Sequence, residues 1–362
     1  MRNFNYSILK SKQWDSEILG LVARIHEYKG RQELYLKQKP EELDRLVELA
    51  KIQSTEASNE IEGIRTTNTR LRQLVADKTT PRNRDEEEIM GYRDVLNTIH
   101  ESYEYIPIRT NYILQLHRDL YQYSEKGIGG SFKNTQNYIS AVDAKGHEFV
   151  LFTPLAPYET PSAIDSICEN FNRVMDKQEV NALVLIPIFI HDFLCIHPFH
   201  DGNGRMSRLL TTLLLYRAGY VIGKYISLES KIAKNKGLYY DALEACQQGW
   251  HENKEDTVPF IKYLLRIILA AYRDFEERVD LVGEKLPAVE LVRRAVYGKI
   301  GKFTKSDIME LCPTIGKTSV ESSIKALVDK ELLIKHGSGP STFYTRSDAI
   351  ENCIRTDGLR RN

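Results

Sequence analysis

The chain has 362 residues, 42% hydrophobic and 28% charged, and its 50 Lys or Arg are balanced by 50 Asp or Glu. This is the composition of an ordinary globular protein long enough for two or three domains, and the zero net charge excludes a chain drawn to nucleic acid or membrane by its overall field. The longest apolar run, Ala182 to Ile190, is broken by Pro187 and too short to cross a bilayer; the start MRNFNYSILK has no apolar signal core, and five scattered cysteines form no C-x-x-C pair. A cytoplasmic chain with reduced thiols is therefore expected, with no membrane partner.

Taken in order, residues 14–37 and 41–62 carry apolar side chains at helical spacing, the second at Leu43, Leu46, Val47, Ala50, Ala57 and Ile61, with Pro40 as punctuation. The second helix ends in Ser58-Asn59-Glu60-Ile61-Glu62-Gly63, which sets Ser58 and Glu62 one turn apart on one face and gives Gly63 as a stop. Residues 85–103 and 109–123 read as amphipathic helices. A glycine-rich stretch from Gly127 to Lys133 leads into residues 137–152, which alternate around Ala144-Lys145-Gly146 and predict a β-hairpin. One more helix is expected over 160–177.

Residues 181–195 are nearly all apolar (ALVLIPIFI), so this helix is expected to be buried on every side, and a second buried helix runs through Leu209, Leu213 and Leu215 to a stop at Gly219. Between them lies the polar loop 196–208. Gly202 and Gly204 let the backbone approach a ligand where unpaired N–H groups of the second helix point outward, a place that attracts phosphate. Arg205 and Arg208 are three apart and can add forked pairs to phosphate oxygens. Asp201, the loop's one carboxylate, suits a Mg²⁺ shared with phosphates, and His197 remains as general base. Neither a P-loop nor a dinucleotide fingerprint fits, because no Lys-Ser/Thr follows Gly204 and no strand precedes. A zinc hydrolase built on His191, Asp192, His197 and His200 is the more serious rival, although Pro198 breaks the register between the last two histidines.

The stretch from His197 to Arg208 resembles, at every defined position, the Fic family motif H-x-F-x-[D/E]-G-N-G-R-x-x-R. The resemblance implies a mainly α Fic helical bundle with a β-hairpin flap, and a protein adenylyltransferase using ATP and Mg²⁺. A Tyr, Ser or Thr hydroxyl of a target would attack the α-phosphate and pyrophosphate would leave. It assigns His197 as base, Asp201 as metal ligand, Gly202, Asn203 and Gly204 to the α-phosphate region, and Arg205 and Arg208 to the outer phosphates. Ser58 and Glu62 resemble the family's inhibitory [S/T]-x-x-x-E-[G/N] motif. Gly127 to Lys133 resembles the entry to the family's flap, along which a target segment would lie at 137–152 by strand addition. Tyr239 and Tyr240, within a helix expected over 226–248, resemble a paired-tyrosine wall near adenine; Gln247 stands where the family often has Asn, which leaves its role open.

A long helix is expected over 256–282. Beyond residue 284 the chain turns basic, with 14 Lys or Arg against 9 Asp or Glu. A short helix over 303–311, a turn at 313–316, a helix over 317–330 and strands at 332–335 and 342–345 make a winged-helix arrangement. Thr318, Ser319, Ser322 and Lys325 would face outward on its second helix, a thin base-reading set, so weak DNA binding and protein docking or homodimerisation both stay open. The expected division is 1–80, an N-terminal region with the inhibitory helix; 81–284, the Fic domain; and 285–362, the winged helix. Two further readings stand beside autoinhibited AMP transfer: a DNA-binding regulator whose Fic domain modifies itself, and removal of AMP by the same site.

Overall fold

The computed structural model describes residues 2–38, 40–142, 146–282, 287–297, 299, 301–312 and 315–347. Ala144 and Lys145 of the expected hairpin turn, and Pro313 and Thr314 of the later turn, lie outside them. Helices dominate. The chain begins with α1 (Ser16–Gln38), α2 (Pro40–Ile61), α3 (Asn68–Val75), α4 (Arg84–Ser102) and α5 (Thr110–Leu120). A hairpin of β1 (Ile139–Val142) and β2 (Glu148–Phe152) follows, then α6 (Thr160–Asp176), α7 (Ala182–Ile196), α8 (Asn203–Arg217), α9 (Leu228–Lys234), α10 (Lys236–Gln247) and α11 (Val258–Val282).

Two compact units result, residues 1–31 with 50–272 and residues 32–49 with 273–362. The expected N-terminal region 1–80 therefore does not stand apart from the catalytic segment. Buried polar ties account for this: the Tyr6 hydroxyl donates to Asp192 Oδ2 (2.8 Å), and the Ser54 hydroxyl donates to Glu229 Oε2 (2.7 Å). Each tie adds a donor to a buried carboxylate that Arg2 and Trp250, for Asp192, or Tyr92 and Ser227, for Glu229, also serve.

The first unit is built around α7 and α8. The Asn181 side chain accepts the Leu183 N–H (2.9 Å) and starts α7, and every residue from Leu183 to Ile196 is buried. Pro187 removes one backbone donor without ending the helix. α7 packs against α6 and α8, and α8 against α4, so the loop joining α7 to α8 emerges from the most rigid part of the unit. Two differences from the sequence reading stand out. The helix expected over 226–248 is broken at Asn235, whose backbone leaves the helical region (φ −130°, ψ 41°), and α3 was not anticipated. The latter is only eight residues long; it is capped by Thr67 and buries Leu71 and Leu74 against Ile89 and Met90.

The expected hairpin is antiparallel, pairing Ser140 with Val150 and Ala141 with Phe149, with a register irregularity after Ile139. Phe152 anchors its base against Trp250, ring centroids 5.9 Å apart, while Phe149 and Val150 remain exposed.

In the second unit α12 (Ala288–Tyr297), which was not anticipated, precedes α13 (Lys305–Leu311), α14 (Lys317–Asp329) and a hairpin of β3 (Leu333–His336) and β4 (Phe343–Arg346). Both strands lie one residue later than expected. Phe303 exchanges backbone hydrogen bonds with Tyr344 (3.0 and 2.8 Å) and adds a third short rung. Val292, Val296, Ile308, Val320, Ile324, Leu327 and Leu333 form one core, and Thr304 with Asp307 forms a capping box on α13.

Candidate active site

The loop between α7 and α8 is held by its carbonyls. Lys133 is buried; its ammonium donates to Ile196 O (3.0 Å) and Asn137 Oδ1 (2.8 Å), and its backbone N–H donates to Pro198 O (2.9 Å). Burial pushes the Lys133 pKa down to about 8. Asn137 Nδ2 reaches Phe199 O (3.0 Å) and His197 O (3.3 Å). From the other side His117 stacks on Phe199 with ring centroids 3.7 Å apart. His117 Nδ1 accepts the Gly130 N–H (3.0 Å), so its proton is on Nε2, which donates to Asp201 O (3.1 Å). None of Asn137, His117 and Lys133 was singled out as a loop support from the sequence. They come from segments 60 to 84 residues away, and only the fold brings them to the loop.

His197 ends α7 in the left-handed region (φ 51°, ψ 63°). Its Nδ1 lies 3.2 Å from Leu194 O; a carbonyl only accepts, so Nδ1 carries the proton and Nε2 keeps a free lone pair. Burial, opposed by the bond to Leu194 and aided by the Lys133 ammonium, pushes the His197 pKa down to about 4. At neutral pH the ring is an uncharged acceptor, the state a general base requires.

At the start of α8, Gly202 takes φ 83° and no side chain caps the helix, leaving its first N–H groups open to an anion. A Cβ on Gly204 would lie 2.2 Å from Glu62 Oε1, so the Glu62 carboxylate rests directly against this first turn. Arg208 is 3% exposed; its Nε donates to Ser58 Oγ (2.8 Å), and its Nη2 donates to Ser58 O (2.9 Å) and Glu62 Oε1 (2.8 Å). Glu62 thus meets Arg208 through one oxygen, and Ser58 takes up the rest of the guanidinium edge. Arg208 Nη1 is buried with no partner among the described residues. Glu62 follows the last turn of α2, whose Ile61 carbonyl accepts from the Lys236 ammonium of α10, a cation at a helix C-terminus.

Arg205 behaves differently from its neighbour. Its side chain is 1% exposed, and Nη2 pairs with Glu88 Oε2 (2.7 Å) on α4 and with the Tyr121 hydroxyl (2.7 Å). The sequence placed Arg205 beside the outer phosphates; here its one bonded nitrogen faces the protein, while Nε and Nη1 are buried without a partner among the described residues. Asn203 likewise turns inward, its amide accepting the Phe199 N–H (3.0 Å) and donating to Phe199 O (2.8 Å). That ring of bonds shapes the loop, whereas the sequence aimed the side chain at phosphate.

Asp201 Oδ1 accepts the Gly202 N–H (2.7 Å) and Oδ2 accepts from the Lys126 ammonium (2.8 Å). Burial raises the carboxyl pKa, but Lys126 and Arg205 outweigh it and hold Asp201 below the usual carboxylate value. The histidine-rich cluster does not converge. His191 is buried beside Cys195 Sγ (3.5 Å) and His200 is exposed on Asn134, and among the described residues no three His, Cys, Asp or Glu side chains are grouped to hold a metal. The zinc reading therefore has no ligand set.

A cavity of about 170 Å³ opens beside the loop, bounded at one end by His197, Gly204, Arg208 and Glu62 and elsewhere by Ile139, Leu151, Leu194 and Leu243. Gln247, whose role the sequence left open, also lines it. Both paired tyrosines line it, Tyr239 buried against Phe260 and Tyr263 and Tyr240 half-exposed.

Residues 107–215 match the Fic/DOC family. The chain is 25% identical over 240 residues to a protein adenylyltransferase Fic of Drosophila erecta, covering 60% of this chain and 43% of that protein. It thus spans less than half the length of the curated relatives it matches. Among solved structures, a Fic-domain-containing signaling protein of Bacteroides thetaiotaomicron superposes with a TM-score of 0.59 at 26% identity, covering 75% of this chain and 98% of that one. A Fic family protein of Desulfovibrio desulfuricans superposes with a TM-score of 0.60 at 21% identity, covering 93% and 98%. With the motif loop, its two buried helices and the hairpin in one unit, residues 107–215 of this chain form a domain similar to those of the Fic/DOC family.

Proposed function

We propose that the protein transfers AMP from ATP to a hydroxyl of a protein substrate and that Glu62 restrains the reaction. The observation that carries this reading is the meeting, at one end of an apolar cavity, of a neutral histidine acceptor with the open N-terminus of α8 and an arginine. The cavity suits a purine, the helix start suits phosphate, and His197 Nε2 is free to take a proton.

In the reaction the substrate hydroxyl oxygen bonds to the α-phosphorus, the bond from that phosphorus to the bridging oxygen of pyrophosphate breaks, and the hydroxyl proton passes to His197 Nε2. The buried Nη1 of Arg208, without a partner among the described residues, is a donor suited to an anion, which fits a triphosphate. Asp201 fits Mg²⁺ as a single carboxylate ligand, with nucleotide oxygens and water completing the shell. Such an ion would neutralise charge on the leaving pyrophosphate. Glu62 sets a carboxylate against the first turn of α8 and on Arg208, the position an outer phosphate needs, so nucleotide binding in a productive pose requires it to move. The exposed edge at Phe149 and Val150 suits an extended substrate segment.

Residues 288–346 we read as a winged helix, from the order of α12, the Phe303 rung, α13, α14 and the β3–β4 hairpin. Its mild basic excess favours weak, salt-sensitive DNA contact or protein docking over specific base reading.

The test is incubation of wild type and Glu62→Gly with ATP labelled on the α- or the γ-phosphate, in the presence of cell lysate. AMP transfer labels protein from the α-position alone, with more label in the variant; label from the γ-position would make it a kinase. A defined DNA footprint that resists salt would instead favour the regulator reading.

A further inference from the structure

The Lys126 ammonium occupies a place that neither the motif nor the family comparison assigns. It lies 2.8 Å from Asp201 Oδ2 and 3.2 Å from Glu88 Oε1, bridging two carboxylates from different parts of the chain. Both oxygens of Asp201 are then engaged, Oδ1 by the Gly202 N–H and Oδ2 by Lys126. Glu88 is 2% exposed and also carries Arg205 (2.7 Å) and Arg84 (2.8 Å), so it stays charged and holds the lysine near the site even when Asp201 is released. Burial alone would raise the Glu88 pKa, but Arg205 and its other cationic neighbours keep it below the usual value. Lys126 sits on the turn after α5, followed by Gly127 at φ 64°, and is about a quarter exposed, so its long side chain can swing without moving a helix.

We infer that Lys126 is a resident cation that holds the metal position of Asp201 until nucleotide arrives, and so couples Mg²⁺ entry to ATP. The inference rests on the reading of Asp201 as metal ligand. A divalent ion approaching the nucleotide-free site meets an ammonium already on Asp201, and two cations on one carboxylate repel. A triphosphate brings several negative charges, gives the ammonium an alternative partner and supplies the oxygens that Mg²⁺ needs beyond one carboxylate. If the lysine occupies Asp201 about nine-tenths of the time, the apparent metal affinity of the free protein is lowered about tenfold. The coupling is reciprocal, so metal should also tighten nucleotide binding more in wild type than in a protein without the lysine.

The experiment titrates Mn²⁺, as a spectroscopic substitute for Mg²⁺, into full-length protein and reads bound ion by electron paramagnetic resonance, with and without α,β-methylene-ATP. Wild type should bind Mn²⁺ weakly alone and tightly with the nucleotide analogue. Lys126→Met and Lys126→Gln should bind about tenfold more tightly alone and gain about tenfold less from the analogue than wild type does, while Lys126→Arg, which keeps a cation, should follow wild type. Two neutral variants guard against one failing to fold. Equal Mn²⁺ affinity of wild type and the neutral variants without nucleotide would overturn the inference while leaving the Asp201 reading intact. If Mn²⁺ binds no variant even with the analogue, or binds Asp201→Ala as well as it binds wild type, the metal reading of Asp201 falls, and the lysine inference with it.

Discussion

Arg205 and Arg208 lie three residues apart on one helix, yet their surroundings differ in kind. Arg205 and Glu88 form an ion pair with 1% and 2% of their side chains exposed, whereas Arg208 and Glu62 form one in which the carboxylate is 33% exposed. A buried pair resists dissociation because either partner alone would be a desolvated charge, while a carboxylate one-third exposed can leave into water and Arg208 keeps its two bonds to Ser58. Glu88 also projects from within the N-terminal part of a long helix, and Glu62 from just past the end of one. Under the proposed function, the same residue type on the same helix would serve as a fixed brace at one site and a releasable latch at the other.

The largest expected effect tests the chemistry common to both. His197→Ala should cut AMP transfer by about 10² to 10⁴ while leaving binding of a nucleotide analogue nearly unchanged, since the base acts on the hydroxyl and not on the nucleotide. A transfer assay beside an analogue titration checks it, and unchanged transfer would remove His197 from the mechanism. Next comes the brace. Glu88→Ala strands the Arg205 guanidinium, and urea unfolding should show a loss of about 3 to 5 kcal/mol. A loss below about 1 kcal/mol would make this pair as dispensable as a surface one and erase the contrast.

Breaking the latch should cost little stability and raise activity. Glu62→Gly is expected to increase transfer or self-modification about tenfold or more, by freeing the α8 N-terminus and Arg208 together. Combining it with Arg208→Ala should cancel the gain. Ser58→Ala removes only one side-chain bond to Arg208, whose Nη2 still reaches Ser58 O, and should release the latch by about two- to fivefold, the lower end of what a single net hydrogen bond contributes. If Ser58→Ala matched Glu62→Gly, the serine and not the carboxylate would be the restraint.

Acid should distinguish the buried histidines from the latch. His117 and His191 are pushed by burial to about 4 and His100 to about 3, below the value of about 6.5 expected in the unfolded chain. Below about pH 6.5 the unfolded state takes up protons that the folded state refuses. Stability should therefore be level above that pH and fall between about 6.5 and 4, by roughly 1.4 kcal/mol per pH unit for each histidine. Melting temperatures across this range check the sign. His197, also near 4, should leave transfer without an acid limb around pH 6.5.

The parts of the site that were legible in the sequence are those written in one stretch. Gly202, Gly204 and the helix start could be read because a positive φ and an open N-terminus are local properties, and the Ser58 and Glu62 spacing because both sit on one helix face. Lys126, Glu88, His117, Lys133 and Asn137 could not, since each acts through a tertiary contact that leaves no periodic trace. The arginines show the limit well. Spacing of three residues leaves them about 60° apart around the axis, enough for long side chains to reach α4 in one case and α2 in the other. The fold was legible where apolar runs were long, as in α7 and α8, whereas α3 and α12, of eight and ten residues, were missed.

The backbone at His197 has a consequence for substitution at that position. A non-glycine residue held at φ 51° carries a strain of about 1 to 2 kcal/mol that glycine would not. Replacing His197 by glycine would relieve that strain, but it would also remove a partly buried imidazole and its bond to Leu194 O, so this position should exchange one cost for another and gain no stability outright.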